Sequence, residues 1–315
     1  MNNFLFSVNV VAPLFVLMAT GYLSRKIAFV SEPFLAELNK FVFKFCLPLM
    51  LFTDIWGSYE GDFSNTKLIF TAILGTLAVI AASFCIVPLF IRRKGQRGSM
   101  IQGIYRSNFI IYGLPLATGM YGQEAIATIS MLMGIMIPIY NVAAVIILSI
   151  FSETGTHEVR FKNIIKDIVT NPLILGCFFG LLAGIIHLEL PVFIHSPLDQ
   201  FAAIGTPLAL FVMGGEFKFS HLGGNIVKVI SVTMSRLVIV PLIALSIFVM
   251  MGFRSVELSV LLSIFATPTA MASYIMSKNM GCDGQLSAQI VVLTTAGSCF
   301  TIFLFIFVLK SMGYV

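Results

Sequence analysis

Long apolar stretches recur along the chain, and they constrain its fold more strongly than any other feature of the sequence. A transmembrane helix needs about 20 consecutive, mostly apolar residues. Such stretches can be placed ten times, near residues 4–24, 34–56, 67–91, 98–121, 124–151, 164–187, 192–216, 225–251, 255–278 and 284–310. Only 10% of the 315 residues are charged, whereas a soluble domain has about 25%. The sequence therefore predicts an all-α, multi-span integral membrane protein.

The basic residues predict the orientation of these spans, because Lys and Arg accumulate in short cytoplasmic loops. With the N-terminus outside, the inner loops contain Arg25, Lys26, Arg92, Arg93, Lys94, Arg97, Arg160, Lys162, Lys166, Lys218, Lys228 and Lys278. The outer side then contains Lys67, Arg254 and Lys310. We therefore expect a plasma-membrane protein with both termini on the extracytoplasmic side.

The two halves of the chain resemble each other. APLFVLMATGY (12–22) matches NPLILGCFFGL (171–181), FCLPLMLF (45–52) matches IGTPLALF (204–211), and YGQEA (121–125) matches MGCDG (280–284), each at an offset of 159. Chance matches are common in apolar sequence, but a shared order and offset favour a repeat. Each half, residues 1–155 and 156–315, would contain five spans, and an odd number places the second half in the opposite orientation. Such inverted repeats are typical of secondary transporters.

Two spans at corresponding positions contain residues that interrupt helices. The fourth includes RSNFIIYGLPLATGMYG (106–122), where we expect a break at Gly113 and Pro115, and the ninth is interrupted at Pro268. Freed backbone groups at membrane depth are tolerated only where they are buried in protein or line a cavity. Paired breaks of this kind predict a transport site at a crossover formed by Gly113, Pro115 and Pro268.

The composition of these two segments indicates the charge of the substrate. A broken helix offers an N-terminus with free N–H groups and a positive dipole end. Asp and Glu are absent from residues 100–123 and 258–282, which favours an anionic substrate. The candidate substrate-binding residues are Arg106, Ser107, Asn108, Asn141, Thr267 and Thr269. For Arg106, snorkelling to the headgroups or pairing with a carboxylate is an equal alternative. Asn141 could instead join two helices.

The chain resembles the auxin efflux carrier family, which includes bacterial malate and malonate permeases. The resemblance rests on Asn108…Gly113-Leu114-Pro115, on ATPTAMASYIMSKNMGCD (266–283) and on LNKFVFKFCLPLMLF (38–52). It implies a bacterial plasma-membrane protein with a ten-helix inverted-repeat fold in which helices 4 and 9 cross. Helices 1, 2, 6 and 7 would form a scaffold and homodimer face, and helices 3–5 and 8–10 an elevator-like moving core. The family's substrate asparagine corresponds to Asn108, and Thr267 precedes the proline of the ninth helix.

The resulting hypothesis is a secondary transporter of a small organic anion, a mono- or dicarboxylate such as malate or malonate, working by alternating access. A sodium-coupled symporter of the bile-acid type and a transporter-like membrane sensor remain alternatives, and the coupling ion could be a proton or sodium.

Sequence signatures of hydrolases, metalloproteases and nucleotide-binding enzymes do not occur, so we do not expect an enzyme. The four histidines lack ligand spacing, so neither a metal nor a cofactor is expected. The net charge of +5 is accounted for by membrane orientation and not by nucleic-acid binding.

Overall fold

The protein is almost entirely helical in the computed structural model, which describes residues 2–58, 65–153, 165, 168–217 and 222–315. The named helices are α1 (Asn2–Lys26), α2 (Glu32–Phe41), α3 (Leu47–Gly57), α4 (Thr66–Phe90), α5 (Lys94–Tyr105), α6 (Phe109–Tyr121), α7 (Gln123–Phe151), α8 (Pro172–Ile185), α9 (Val192–Ala203), α10 (Gly205–Glu216), α11 (Leu222–Met234), α12 (Val240–Met250), α13 (Ser255–Ala266), α14 (Ala272–Asn279) and α15 (Gly284–Ser311). Within these described ranges no sheet strand occurs, and an isolated antiparallel bridge joins Ser107 to Thr269.

Two of the predicted spans are pairs of α-helices joined by a π-helical turn. Val42–Cys46 connects α2 to α3, and Ser235–Ile239 connects α11 to α12. A π turn inserts an extra residue into the helix and often marks a functional position. The second of these turns carries Arg236, whose contacts are described below.

Five stretches among the described residues are long and apolar enough to cross a bilayer: Thr66–Phe90, Thr128–Phe151, Val192–Glu216, Gly224–Met250 and Gly284–Ser311. Two further apolar helices, Pro172–Ile185 and Ser255–Ala266, are shorter. Large apolar side chains are exposed along these helices, as at Phe70, Leu74 and Leu77 of α4. In water so much exposed apolar surface would be unfavourable, and in lipid it is expected. The protein is a multi-pass membrane protein.

The predicted junction between the two halves, at residues 155 and 156, lies outside the described residues. Residues 164, 166 and 167, at the start of the sixth predicted span, also lie outside them. The helix that corresponds to this span, α8, begins at Pro172. Asn171 caps it, because its Oδ1 accepts a hydrogen bond from the N–H of Leu173 at 3.0 Å.

Glycines allow two helix pairs to approach at backbone distance, α1 against α10 and α3 against α8. A Cβ added at Gly21 would lie 2.0 Å from the carbonyl oxygen of Phe211, and one at Gly180 would lie 2.7 Å from that of Phe52. Gly21 and Gly180 are 159 residues apart, and so are Phe52 and Phe211. The same contact is therefore made twice, with the roles of the two halves exchanged.

The other helices surround the two interrupted segments. Helix α5 packs against α4, α7 and α15, and α13 packs against α6 and α12. This arrangement brings the end of α5 next to the end of α13, where each helix stops inside the protein. The polar groups at this meeting point form the candidate site.

Candidate functional site

Two interrupted segments meet inside the helix bundle. Helix α5 ends at Tyr105 and α6 begins at Phe109, while α13 ends at Ala266 and α14 begins at Ala272. Between them the N–H of Asn108 donates to the carbonyl of Pro268 at 2.9 Å, and the N–H of Ala270 donates to that of Arg106 at 3.0 Å. We call residues 106–108 and 267–271 the crossing. The two segments satisfy each other's backbone groups, which the low-dielectric interior requires.

The predicted position of the break in the fourth span is wrong. We expected it at Gly113 and Pro115, but the backbone is helical through both residues, which lie inside α6. The break lies five or more residues earlier, at the crossing. The physical reason is that a helix in a membrane can stop only where another segment supplies hydrogen-bond partners, as 267–271 does for 106–108. In the ninth span, Pro268 does lie in the interruption.

The threonines of the crossing are used to hold it together. Thr267 Oγ1 lies 2.7 Å from Ser107 Oγ and donates to the carbonyl of Ser263 at 2.8 Å. Thr269 Oγ1 donates to the carbonyl of Gly103 at 2.6 Å. Both threonines are fully buried and neither lines the cavity described below. Their contacts favour a positioning role over the direct substrate contact that we expected from sequence.

Arg236 binds the ends of both broken helices. From the π turn before α12, its guanidinium donates to the carbonyls of Ile264 at 3.0 Å and Thr267 at 2.8 Å, at the end of α13. It also donates to the carbonyls of Ile104 and Tyr105 at 3.3 and 3.4 Å, at the end of α5. Helix C-termini carry partial negative charge, so one cation satisfies two of them.

A cavity of about 380 Å³ lies beside the crossing. Helices α3, α9 and α10 form one wall, and α7 and the crossing form the other. The beginnings of α6 and α14 also contribute, at Phe109 and Ala272. The first N–H groups of a helix lack partners within it and carry partial positive charge. Arg236 binds the negative ends of α5 and α13, whereas the positive ends of α6 and α14 face the cavity.

Arg106 is a cation in this cavity whose hydrogen-bond acceptors are neutral. It is 4% exposed, and its Nη2 donates to Asn141 Oδ1 at 2.8 Å. Its Nη1 contacts the sulfur of Met276 and, in the amide orientation that satisfies both groups, donates to Gln102 Oε1 at 2.9 Å. No carboxylate of the described residues forms an ion pair with it. This guanidinium therefore retains its charge for a ligand, and snorkelling is not its role because it lies inside the protein.

Asn108 contributes an unused hydrogen-bond donor. It lines the cavity and is 8% exposed, and its Nδ2 has no partner among the described residues. A buried polar group without a partner is costly and indicates a missing ligand or water. Ser107 and Asn141 also line the cavity, but Ser107 is bonded to Thr267 and Asn141 to Arg106. Of the predicted site residues, four therefore meet here: Arg106, Ser107, Asn108 and Asn141.

The cavity also contains two carboxylates that sequence reasoning did not include. Asp54 of α3 and Asp199 of α9 line it together with the crossing. Asp199 is about half exposed and lies 3.0 Å from His195 Nδ1. Both acids come from spans other than the two interrupted ones, from which Asp and Glu are absent over residues 100–123 and 258–282. The signal for Asp54 was present in LMLFTDIW (49–56), as an acid within an apolar run.

A polar cluster connects the two walls on the other side of the crossing. Glu216, at the end of α10, contacts the hydroxyl of Tyr274 and the Nζ of Lys278 on α14. Its backbone oxygen accepts from Gln285 Nε2 of α15 at 2.7 Å. Lys278 lies six residues after the start of α14, about 9 Å along the helix. We call Glu216, Tyr274, Lys278 and Gln285 the closing cluster, because they join α10 to α14 and α15. None of the four lines the cavity beside the crossing, and all of them line a separate pocket of about 680 Å³.

A bundle of apolar helices with two interrupted segments beside a polar, ligand-sized cavity has the architecture of a membrane transporter. The chain belongs to the membrane transport protein family, the auxin efflux carrier family, whose model matches residues 6–306. The family matched by the motifs in the sequence is thereby confirmed.

Individual relatives extend over nearly the whole chain. A Rhizobium meliloti protein named "Putative malonate transporter" is 24% identical over 307 residues, which cover 96% of this chain and 95% of the relative. An uncharacterised transporter of Methanocaldococcus jannaschii is 24% identical over 304 residues, 93% of this chain and 96% of the relative. Auxin efflux carrier component 8 of Arabidopsis thaliana is 34% identical over 126 residues, 38% of this chain and 34% of the relative.

Proposed function

We propose that this transporter moves a small organic anion, a mono- or dicarboxylate such as malate or malonate, by secondary transport. The observation that carries the proposal is the pairing of Arg106 with Asn108 in one cavity, a cation bonded only to neutral groups beside an unpartnered amide donor. A carboxylate would accept from both. The name of the Rhizobium relative is consistent with this class of substrate.

The size and polarity of the cavity fit such a ligand. Sites for small molecules usually enclose about 300–1,000 Å³ and contain a few polar groups in otherwise apolar walls. Here the walls include Leu47, Leu51 and Ile137, and the volume is about 380 Å³. The positive helix ends at Phe109 and Ala272 add to the field of the guanidinium. A compact anion would therefore gain charge-assisted hydrogen bonds without a bound metal.

We further propose that ten spans form two inverted repeats. The reciprocal packing supports this, because Gly21 against Phe211 and Gly180 against Phe52 are the same contact with the halves exchanged. The crossing supports it as well, since it joins the fourth predicted span to the ninth. The scaffold would comprise spans 1, 2, 6 and 7, and the core spans 3–5 and 8–10.

The position of the cavity between these two groups of helices supports alternating access. One wall, from α3, α9 and α10, belongs to the proposed scaffold, and the other, from α7 and the crossing, belongs to the proposed core. On the far side of the crossing the closing cluster holds scaffold and core together. An elevator-like displacement of the core would break that cluster and expose the site to the opposite side.

The test is uptake of labelled malonate and malate by purified protein in liposomes. We expect uptake above that of empty liposomes, and a loss of at least tenfold in Asn108→Ala. Asn225→Ala is the matched control, because Asn225 lies on α11 and does not line the cavity. Full activity of Asn108→Ala would refute the site. Binding without flux would make the protein a sensor, and a strict requirement for sodium would favour the symporter of the bile-acid type.

A further inference from the structure

Asp54 is a carboxylate in the substrate cavity that the proposed function does not use. It lies in α3, on the wall opposite the crossing, and is partly enclosed by the protein. Its side chain forms no salt bridge within the described part of the chain. The nearby cation, Arg106, is instead held by Asn141, Gln102 and Met276. The cavity thus contains a cation and an anion that are not paired with each other.

The groups that face Asp54 do not compensate its charge. Helix α8 contributes the thiol of Cys177, and α7 contributes the phenol of Tyr140. Helix α9 contributes Asp199, an additional carboxylate that is paired with His195. Helix α10 contributes Thr206 to the same cavity. Arg106 is therefore the one fixed cation of the described residues that lines the cavity.

A substrate anion held by Arg106 and Asn108 would face Asp54 across this small space. The cavity is about 9 Å across if treated as a sphere, and at an effective dielectric constant of about 20 two like charges at that separation weaken binding by about an order of magnitude. Protonation of Asp54 removes this repulsion. Binding of the anion and binding of the proton then favour each other, because the coupling between two ligands is reciprocal.

We propose that Asp54 takes up a proton when the anion binds, so that binding of the anion in this cavity is coupled to binding of a proton. The inference rests on the proposed function, since it requires an anion at Arg106 and Asn108. The carboxylate belongs to the proposed scaffold, so the proton and the anion meet only when the core faces it.

The experiment measures malonate affinity and proton uptake together, with detergent-purified protein in weak buffer between pH 6.5 and 8.5. For the wild type we expect up to about one proton taken up per malonate bound, and an affinity that falls about tenfold as the pH rises. The affinity falls at higher pH because Asp54 is then deprotonated, and its negative charge repels the bound anion. Asp54→Asn, which mimics the neutral acid, should bind malonate with less than a twofold change over this range and take up no proton.

Two further variants keep the test decisive. Glu37→Gln is the control, since it removes an exposed carboxylate of α2 that does not line the cavity and should leave malonate binding and proton uptake unchanged. Asp54→Glu should retain proton uptake, which separates loss of the titrating group from misfolding.

Proton uptake by Asp54→Asn, or none by the wild type while it binds malonate, would overturn the inference and leave the anion site standing. So would tighter binding of glycine than of malonate, because Asp54 would then be a counter-ion for an ammonium group. Failure of both wild type and Glu37→Gln to bind malonate would refute the anion site and this inference together.

Discussion

Arg236 is the residue on which the crossing depends most directly. It is 1% exposed and donates to four backbone carbonyls at the ends of α5 and α13. Arg236→Met would leave these oxygens buried without a donor, at a cost of about 1–3 kcal/mol for each unsatisfied group. We expect a loss of unfolding free energy of about 3 kcal/mol or more, seen as a clearly lower Tm in detergent. Arg92→Met, at an exposed position, should leave Tm unchanged; equal Tm values for the two variants would contradict this account.

At the residue scale, the sequence was most informative where a polar side chain interrupts an apolar run. Arg106, Ser107, Asn108 and Asn141 were singled out in this way, and all four line the cavity. The orientation of Thr267 and Thr269 could not be predicted, because their hydroxyls bond to a segment 160 residues away or more. Asp54 was missed for the same reason, since only the packing of α3 against the crossing makes it part of the cavity.

Helices α1 and α10 pack so closely that the glycines between them leave no space for a Cβ atom. A Cβ at Gly214 would lie 1.9 Å from the carbonyl oxygen of Met18, a distance at which the helices must separate. Gly214→Ala should therefore destabilise the protein by about 1–3 kcal/mol. Gly134→Ala, in α7, is the control, because nothing lies within 4 Å of its added Cβ. Thermal unfolding of both variants in the same detergent tests this, and an unchanged Tm for Gly214→Ala would show that the helices adjust.

At the element scale, apolar length predicted where helices occur but not where they are interrupted. The predicted span 67–91 is α4, Thr66–Phe90, and 284–310 is α15, Gly284–Ser311. The break in the fourth span was assigned to Gly113 and Pro115 because these residues are poor helix formers. Its true position is set by the partner segment, which no local propensity describes. The π turns were not predicted either, because the extra residue in each depends on packing around it.

The whole molecule should place both chain ends on one side of the membrane, because ten crossings return the chain to its starting face. We expect tags fused at Met1 and at Val315 to be cleaved by protease added outside intact cells. A tag inserted in the basic loop near Arg93 should be cleaved only after the membrane is opened. Protection of one terminal tag but not the other would exclude an even number of spans, and the reverse pattern would invert the predicted orientation.

At this scale the sequence predicted the family and the multi-span architecture, because composition and ordered motifs extend over the whole chain. The inverted repeat, the homodimer and the division into scaffold and core stay predictions. The cavity could not be predicted, since its walls come from segments far apart in the chain: α3, α7, α9, α10 and the crossing. Which charged side chains line the cavity likewise depends on how these segments pack together.

The position of Arg236 behind the crossing has an electrical consequence. Arg236 and Arg106 are both fixed to the broken helices that we propose to move, whereas Asp54 belongs to the wall that stays. A unit charge that crosses the full membrane potential exchanges about 2.3 kcal/mol per 100 mV. With two positively charged guanidiniums, the empty core would be attracted toward a negative cell interior, and its position would depend on the membrane voltage. A bound dicarboxylate would cancel both charges, so that the loaded core would travel almost independently of the membrane voltage.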